Sequence, residues 1–182
     1  MTIQIGTLEI SPALEHKDLL ARVVIEGLGN LNNADKIGIT EIDPEVSDTT
    51  AFCEHYQLEL NQAANCIVLE AKRGDKVWYA ACVVLGNTRA DVNGLARKTL
   101  GARRVSFAAM DTAVDMTNME YGAITPIGLP EDWVILVDKA VADSDYIVIG
   151  SGLRKSKLIV PGKIFSSLPN SQILDGLGKV IK

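Results

Sequence analysis

Two neighbouring apolar stretches in the middle of the chain dictate what it can fold into. Residues 66–71 form the first stretch, residues 73–75 form an Arg-Gly-Asp turn, and residues 76–85 form the second. Alternating apolar residues are typical of β-strands, and a short turn containing glycine between two such segments predicts an antiparallel hairpin. One face of the second strand is expected to carry Val77, Tyr79, Ala81, Val83 and Leu85.

Shorter elements are predicted on both sides of this hairpin. Ser11 followed by Pro12 is a favourable start for a helix running to about Val24, and Ser47 or Asp48 is a suitable N-cap for the next helix. Further helices are predicted at 91–101, 110–117 and 161–168, and strands at 37–42, 105–108, 134–138, 146–149 and 157–160. This order favours a mixed α/β (α+β) fold, with a mixed, largely antiparallel sheet and surrounding short helices. It lacks the regular alternation of a doubly wound fold.

The 182 residues suit one domain with an appendage. We expect an N-terminal accessory helical segment at 1–33 and the main domain at 34–182. Three cysteines without CxxC spacing, and no apolar leader, favour a reducing compartment, so the expected location is cytoplasmic. No apolar run approaches the roughly 20 residues that a membrane helix needs, and no membrane association is expected.

Charge is distributed unevenly along the chain. Residues 1–62 carry 11 acidic and 3 basic side chains, although the net charge of the whole chain is only −5. Basic residues gather instead between positions 89 and 104, where a phosphate-bearing partner could bind. A merely solvated surface is the alternative interpretation. The residues of interest there are Arg97, Lys98, Arg103 and Arg104.

Most catalytic signatures are absent from the sequence. His16 and His55 lie in separate predicted helices, and neither is near a Cys or carboxylate cluster with metal-ligand spacing, so we expect no metal site. No GxSxG, GxxxxGK or complete GxGxxG motif occurs, and no cofactor is expected. Two glycine-bearing loops remain, around Gly122 and Gly150. Their backbones could approach a ligand closely, or they could simply be turns.

From about residue 37 to its end, the chain resembles the YbaK/EbsC family, whose editing-domain fold occurs free-standing and inserted in prolyl-tRNA synthetases. The resemblance rests on the hairpin at 67–85, on "DVNGLARKTLG" at 91–101, on 104–108, and on "GAITPIG" at 122–128. The family's GxxxP loop is matched by Gly122 and Pro126, and "GSGLRKSKL" at 150–158 is similar to the family's last glycine loop.

The resemblance implies hydrolysis of the ester that joins a wrongly attached amino acid to tRNA, in trans and without a cofactor. It assigns catalysis to Asn65 and Gly122, and it makes the acceptor end of aminoacyl-tRNA the partner, bound by the four basic residues above. DNA is not an expected partner, and a homo-oligomer is possible. The substrate-binding residues would be Cys66, Thr125, Pro126, Gly150, Ser151, Gly152 and Arg154.

One position departs from the family pattern. The family's usual lysine at the start of the hairpin is Asn65 here, and an asparagine supplies hydrogen bonds but no positive charge. Lys72, Arg73 or Arg154 could compensate in space. The interpretations left open are a deacylase with a variant site, a catalytically inactive module that binds tRNA, a nucleotide or a protein, and a hydrolase of small activated esters.

Overall fold

The computed structural model describes residues 3–181. The predicted hairpin is confirmed: strands Ala64–Arg73 and Lys76–Leu85 pair antiparallel along their whole length, with Leu69 opposite Ala80. Gly74 closes the turn with φ +61°, a left-handed conformation that glycine adopts without steric cost.

Short strands and helices surround the hairpin. The strands are β1 Ser11–Pro12, β2 Gly38–Glu41, β3 Ala64–Arg73, β4 Lys76–Leu85, β5 Thr88–Ala90, β6 Arg104–Phe107, β7 Val134–Asp138, β8 Ile147–Gly150, β9 Ser156–Val160, β10 Ser171–Leu174 and β11 Gly178–Val180. The α-helices are α1 Arg22–Gly29, α2 Thr49–Tyr56, α3 Arg97–Thr99, α4 Met110–Thr117 and α5 Lys139–Ala142.

Within residues 3–181 the strands form two larger sheets and one small ribbon. One sheet has the order β1-β2-β9-β8 and is antiparallel, whereas the other has the order β10-β7-β4-β3-β6. In the second sheet β7 runs parallel to both β4 and β10, and the other pairs are antiparallel. Strand β11 pairs only with β5. The expected mixed, largely antiparallel architecture is therefore confirmed.

Alternation along the strands divides the apolar side chains into layers. Ile147 and Ile149 of β8 share one cluster with Ala81 and Val83 of β4, so the main core lies between the two larger sheets. Because neighbouring residues of a strand point to opposite faces, a second cluster forms between the β2-β9-β8 sheet and helix α2. A third cluster covers the outer face of the five-stranded sheet.

The N-terminal part differs from its prediction. Ser11 and Pro12 form strand β1 against β2 instead of starting a helix, two 3-10 turns follow, and α1 begins only at Arg22. Pro12 lies on an edge strand, where its missing N–H costs no ladder hydrogen bond. Residues of this segment also pack in the main core, including Val24 and Leu28 of α1. The division into an accessory segment at 1–33 and a main domain at 34–182 stays a prediction; Met1, Thr2 and Lys182 lie outside the described residues.

Two other predicted helices have a different geometry. Residues 92–96 form a π-helical turn before α3, with Asp91 as its side-chain cap, and Gly162–Ser167 is a 3-10 helix. The predicted α2 and α4 are confirmed, α2 with Asp48 as its N-cap. In the part of the chain that is described, no helix is long and apolar enough to span a bilayer.

Candidate active site

A cavity of about 450 Å³ opens where the start of β3 meets the ends of β8 and β9. Its volume lies in the usual range for pockets that bind small molecules. It is lined by Ser47, Asp48, Thr49, Ala64, Asn65, Cys66, Ile67, Val68, Phe107, Ala108, Ala113, Tyr121, Gly122, Ile124, Gly150 and Lys157. The cavity thus contains both glycine loops and the variant position of the hairpin.

Strand register explains why three of these residues meet. Ala63 forms an isolated parallel bridge with Val148, which brings Asn65 alongside Gly150, and Gly150 is paired with Lys157 across β8 and β9. Neighbouring strands lie about 4.8 Å apart, so the backbones of Asn65 and Lys157 are about 10 Å apart, with only a glycine between them. On each of the three strands, the residue two positions away from Asn65, Gly150 or Lys157 packs in one cluster under helix α2. These residues are Ala63, Val148 and Ile159.

The segment that leads into α2 covers this end of the cavity and orients Asn65. The hydroxyl of Thr49 donates to Oδ1 of Asn65 at 2.5 Å. Because Oδ1 is already engaged, the Nδ2 group of Asn65 is the end of the amide that can donate to a ligand. Asp48 is the N-cap of α2, and its carboxylate accepts hydrogen bonds from the backbone N–H groups of Thr50 and Ala51.

Lys157, which the sequence analysis did not select, is a buried cation in the wall of the cavity. Only 7% of the residue is exposed, and its Nζ donates to the backbone oxygen of Ser47 at 2.8 Å and lies 5.4 Å from the centre of the Phe52 ring. Burial lowers the pKa of Lys157 to about 8, an effect that Cys53 and Asp48 partly oppose and Arg154 reinforces. At neutral pH this side chain is still an ammonium group.

The two glycines serve different purposes. Gly122 has φ +84°, and a Cβ there would meet no other atom within 4 Å, so its backbone is open to the cavity. A Cβ on Gly150 would lie 2.4 Å from the backbone oxygen of Ala123, so only glycine lets the loop after Gly122 rest against β8. Gly150 therefore holds the Gly122 loop in place against the sheet.

The other half of the cavity is apolar. Its side chains are small or branched, and they come from β3, from α4 and the residues just before it, and from the Gly122 loop: Cys66, Val68, Ala108, Ala113 and Ile124. Burial raises the pKa of the Cys66 thiol, so this group stays protonated and does not provide a thiolate nucleophile. The cavity thus combines a polar end with an apolar end that suits an uncharged side chain.

Several predicted site residues lie outside this lining. Ser151 is fully buried, and its hydroxyl bonds to Ser156 Oγ at 2.7 Å, so it faces the interior. Thr125 is also fully buried. Gly152 packs against Ala21, where a Cβ would be only 2.4 Å from the Ala21 Cβ.

Pro126 belongs to a separate cavity of about 380 Å³ next to helix α1. The charged side chains considered as substitutes for the missing lysine do not line the site either. Arg154 donates to the Pro44 oxygen at 3.0 Å, Lys72 pairs with Glu70 at 2.7 Å, and Arg73 donates to the Gly101 oxygen at 3.2 Å.

The predicted tRNA-binding residues form an exposed basic surface near, but not in, the cavity. Arg97 and Lys98 belong to α3, and Arg103 and Arg104 lie where β6 begins. Strand β6 runs from Arg104 to Phe107, a distance of about 10 Å at 3.3 Å per residue. It therefore connects the basic surface with the cavity mouth.

Two exposed aromatic side chains stand at that mouth. Phe107 is 65% exposed and Tyr121 is 55% exposed, and both belong to the cavity lining. Two exposed aromatic rings that line the same cavity form a candidate contact site for a ligand with a flat apolar group. Among the described residues, no group of three or more potential metal ligands occurs, and neither His16 nor His55 lines the cavity.

Comparison with known proteins identifies related sequences and folds. The aminoacyl-tRNA editing domain family matches residues 43–165. A protein described as a candidate trans-editing enzyme for prolyl tRNA synthetase is similar in structure, with a TM-score of 0.73 and 18% identity over 87% of this chain and 96% of its own. The hypothetical protein APE2540 has a TM-score of 0.71 and 14% identity, covering 85% of this chain and 96% of its own. No curated protein matches the chain significantly.

Proposed function

The chain belongs to the aminoacyl-tRNA editing domain family, and from this premise we propose that it hydrolyses the ester of mischarged tRNA in trans. The observation that carries the proposal is the single cavity shared by Asn65, Gly122 and Gly150. Editing needs a protein that fixes an already reactive ester and stabilises the charge that develops on its carbonyl oxygen. Hydrogen-bond donors at one end of a pocket are sufficient for that task.

The two ends of the cavity fit the two ends of an aminoacyl ester. The amide of Asn65, held by Thr49, donates from Nδ2 to the ester carbonyl or to the terminal ribose. The amino-acid side chain occupies the apolar half between Cys66 and Ala113. The open backbone at Gly122 lets the ester approach without obstruction. An uncharged side chain of modest size is the substrate class that this lining admits.

The tRNA is held from outside the cavity. We infer that the terminal adenine stacks on Phe107 or Tyr121 at the mouth, since any base can stack on an exposed aromatic ring. The basic surface at the start of β6 then takes the phosphates of the acceptor end. Acidic side chains predominate in the first 62 residues, which are a poor surface for RNA.

The test is the release of amino acid from a set of mischarged tRNAs, compared between the wild type, Asn65→Ala and Asn32→Ala. Asn32 is exposed, lies outside the cavity and is far in sequence from the basic residues, so it is the matched control. We expect cleavage of at least one mischarged species, strongly reduced in Asn65→Ala and unchanged in Asn32→Ala.

Saturable tRNA binding with no cleavage by the wild type would instead identify a catalytically inactive binding module. The absence of a lysine at position 65 is the observation that favours this second candidate. Equal cleavage of small activated esters and of charged tRNA would point to the small-ester hydrolase.

A further inference from the structure

Lys157 has a buried charge with no ion-pair partner in the described part of the chain. Among residues 3–181, no carboxylate lies within 4.0 Å of its Nζ, and its one hydrogen-bond acceptor is the Ser47 oxygen. An ammonium group has three N–H donors, so two remain without an acceptor in the folded chain. The other buried charged residue, Asp138, accepts from the Leu177 N–H at 3.0 Å.

Such an arrangement is costly unless a ligand completes it. Burying a charged group without partners strongly opposes folding. The side chain is more than nine-tenths buried and lines the cavity beside Asn65 and Gly150. A ligand oxygen that reached Nζ from the cavity would supply an acceptor for the two remaining donors.

We propose that Lys157 is a catalytic residue whose ammonium group donates to the carbonyl oxygen of the bound aminoacyl ester; this inference rests on the proposed function. Water adds to the carbonyl carbon, and the electron pair of the C=O bond moves to the oxygen, where Lys157 and Asn65 Nδ2 stabilise it. The pair then returns and the bond to the ribose oxygen breaks. A proton from the attacking water passes to that oxygen, giving a free amino acid and an intact tRNA hydroxyl.

The location of Lys157 favours the carbonyl over other parts of the substrate. The α-ammonium group would be repelled by Lys157, whereas Asp48 in the same lining offers a carboxylate for it. The phosphates of the acceptor end are not part of the reacting ester, and we expect them to bind at the exposed basic surface outside the cavity. What reaches the interior beside Lys157 is the ester itself.

The register of the strands explains how a lysine on β9 can act at a site that lacks one on β3. Asn65 and Lys157 flank Gly150, so both side chains reach the same space with no third side chain between them. The cation that the family pattern places at position 65 is therefore supplied from position 157. Asn65 keeps the hydrogen-bonding part of the role.

The decisive experiment moves the positive charge from position 157 to position 65. Deacylation of the mischarged tRNA cleaved by the wild type is measured for Lys157→Met, for the double variant Asn65→Lys/Lys157→Met, and for Lys155→Met as the control. Lys155 is exposed and does not line the cavity. We expect kcat/KM to fall on the order of 100-fold in Lys157→Met, as on loss of an oxyanion donor. Partial recovery is expected in the double variant, and no change in Lys155→Met.

A folded Lys157→Met that keeps wild-type kcat/KM would overturn the role of Lys157 while leaving the proposed function intact. A wild type that cleaves no mischarged tRNA would instead remove the proposed function itself.

If Lys157→Met does not fold, the pH profile of the wild type decides. The donor must be protonated, so kcat/KM corrected for spontaneous hydrolysis should fall as pH rises through about 8. That is the pKa of Lys157, which burial and the nearby Arg154 lower and which Cys53 and Asp48 raise in part. Lys157→Arg should move that fall to higher pH, and an identical profile in both proteins would contradict the proposal.

Discussion

Replacing Lys157 by methionine should change how the stability of the protein depends on pH. Burial holds the pKa of Lys157 at about 8 in the folded state, against 10.5 for the ordinary side chain. The unfolded chain therefore binds a proton that the folded chain has lost between pH 8 and 10.5, and the free energy of unfolding rises with pH in that window. At about 1.4 kcal/mol per pH unit, the gap of about 2.5 units corresponds to about 3.5 kcal/mol in total, of which about 3 kcal/mol falls between pH 7 and 10.5.

Methionine does not titrate, so this increase should disappear in the variant. Urea unfolding of the wild type and Lys157→Met at pH 7, 8, 9 and 10.5 measures the difference between their free energies of unfolding. Relative to the variant, the wild type should become more stable by up to about 3 kcal/mol across the series. The exposed Lys155→Met should show no such trend. Parallel curves for the wild type and Lys157→Met would mean that Lys157 is not a buried cation.

Three other perturbations test the proposed contacts of the substrate. Phe107→Ala should weaken substrate binding by about 1–3 kcal/mol, seen as a higher KM with little change in kcat, because it removes a stacking surface. Arg104→Glu should weaken tRNA binding and lower the slope of log K against log salt concentration by about one, whereas Arg22→Glu on the exposed side of α1, in the acidic first part of the chain, should not. Ala113→Leu should narrow the apolar half of the cavity and reduce kcat/KM more for larger amino acids than for small ones. The larger side chain at this buried position should lower the free energy of unfolding by about 1–3 kcal/mol. Equal loss for all amino acids would contradict that placement of the side chain.

Local patterns predicted the fold where they are strong. The hairpin, α4 and β7 have the predicted positions, since apolar alternation and turn residues act within a few residues of each other. The N-terminal helix was predicted wrongly because Ser-Pro also suits an edge strand, and pairing with β2 decided the outcome. The strands β5, β10 and β11 were missed, since short half-exposed segments carry little alternation.

The cavity could be predicted only in part. Asn65, Gly122 and Gly150 were found through their resemblance to family motifs, and the structure brings them together. Lys157 was missed although it lies within the segment at 150–158, because the resemblance there drew attention to the glycine loop and gave no role to the lysine in strand Ser156–Val160. The sequence offered one indication, a charged residue directly before the apolar run Leu158–Val160, and the structure shows that the whole strand is buried. The position of Lys157 near Asn65 depends on the bridge between Ala63 and Val148, two residues that are far apart in the sequence.

The most direct measurement is the rate at which wild-type protein releases amino acids from a broad panel of correctly charged and mischarged tRNAs at pH 7 and low salt. Spontaneous ester decay in buffer is the reference, and the same amino acids esterified to free adenosine are measured beside them. The account predicts that at least one mischarged tRNA with a small uncharged amino acid is cleaved faster than in buffer. It further predicts that the adenosine ester is cleaved less efficiently than the tRNA. Decay of every species at the buffer rate, in a protein that still binds tRNA, would contradict it.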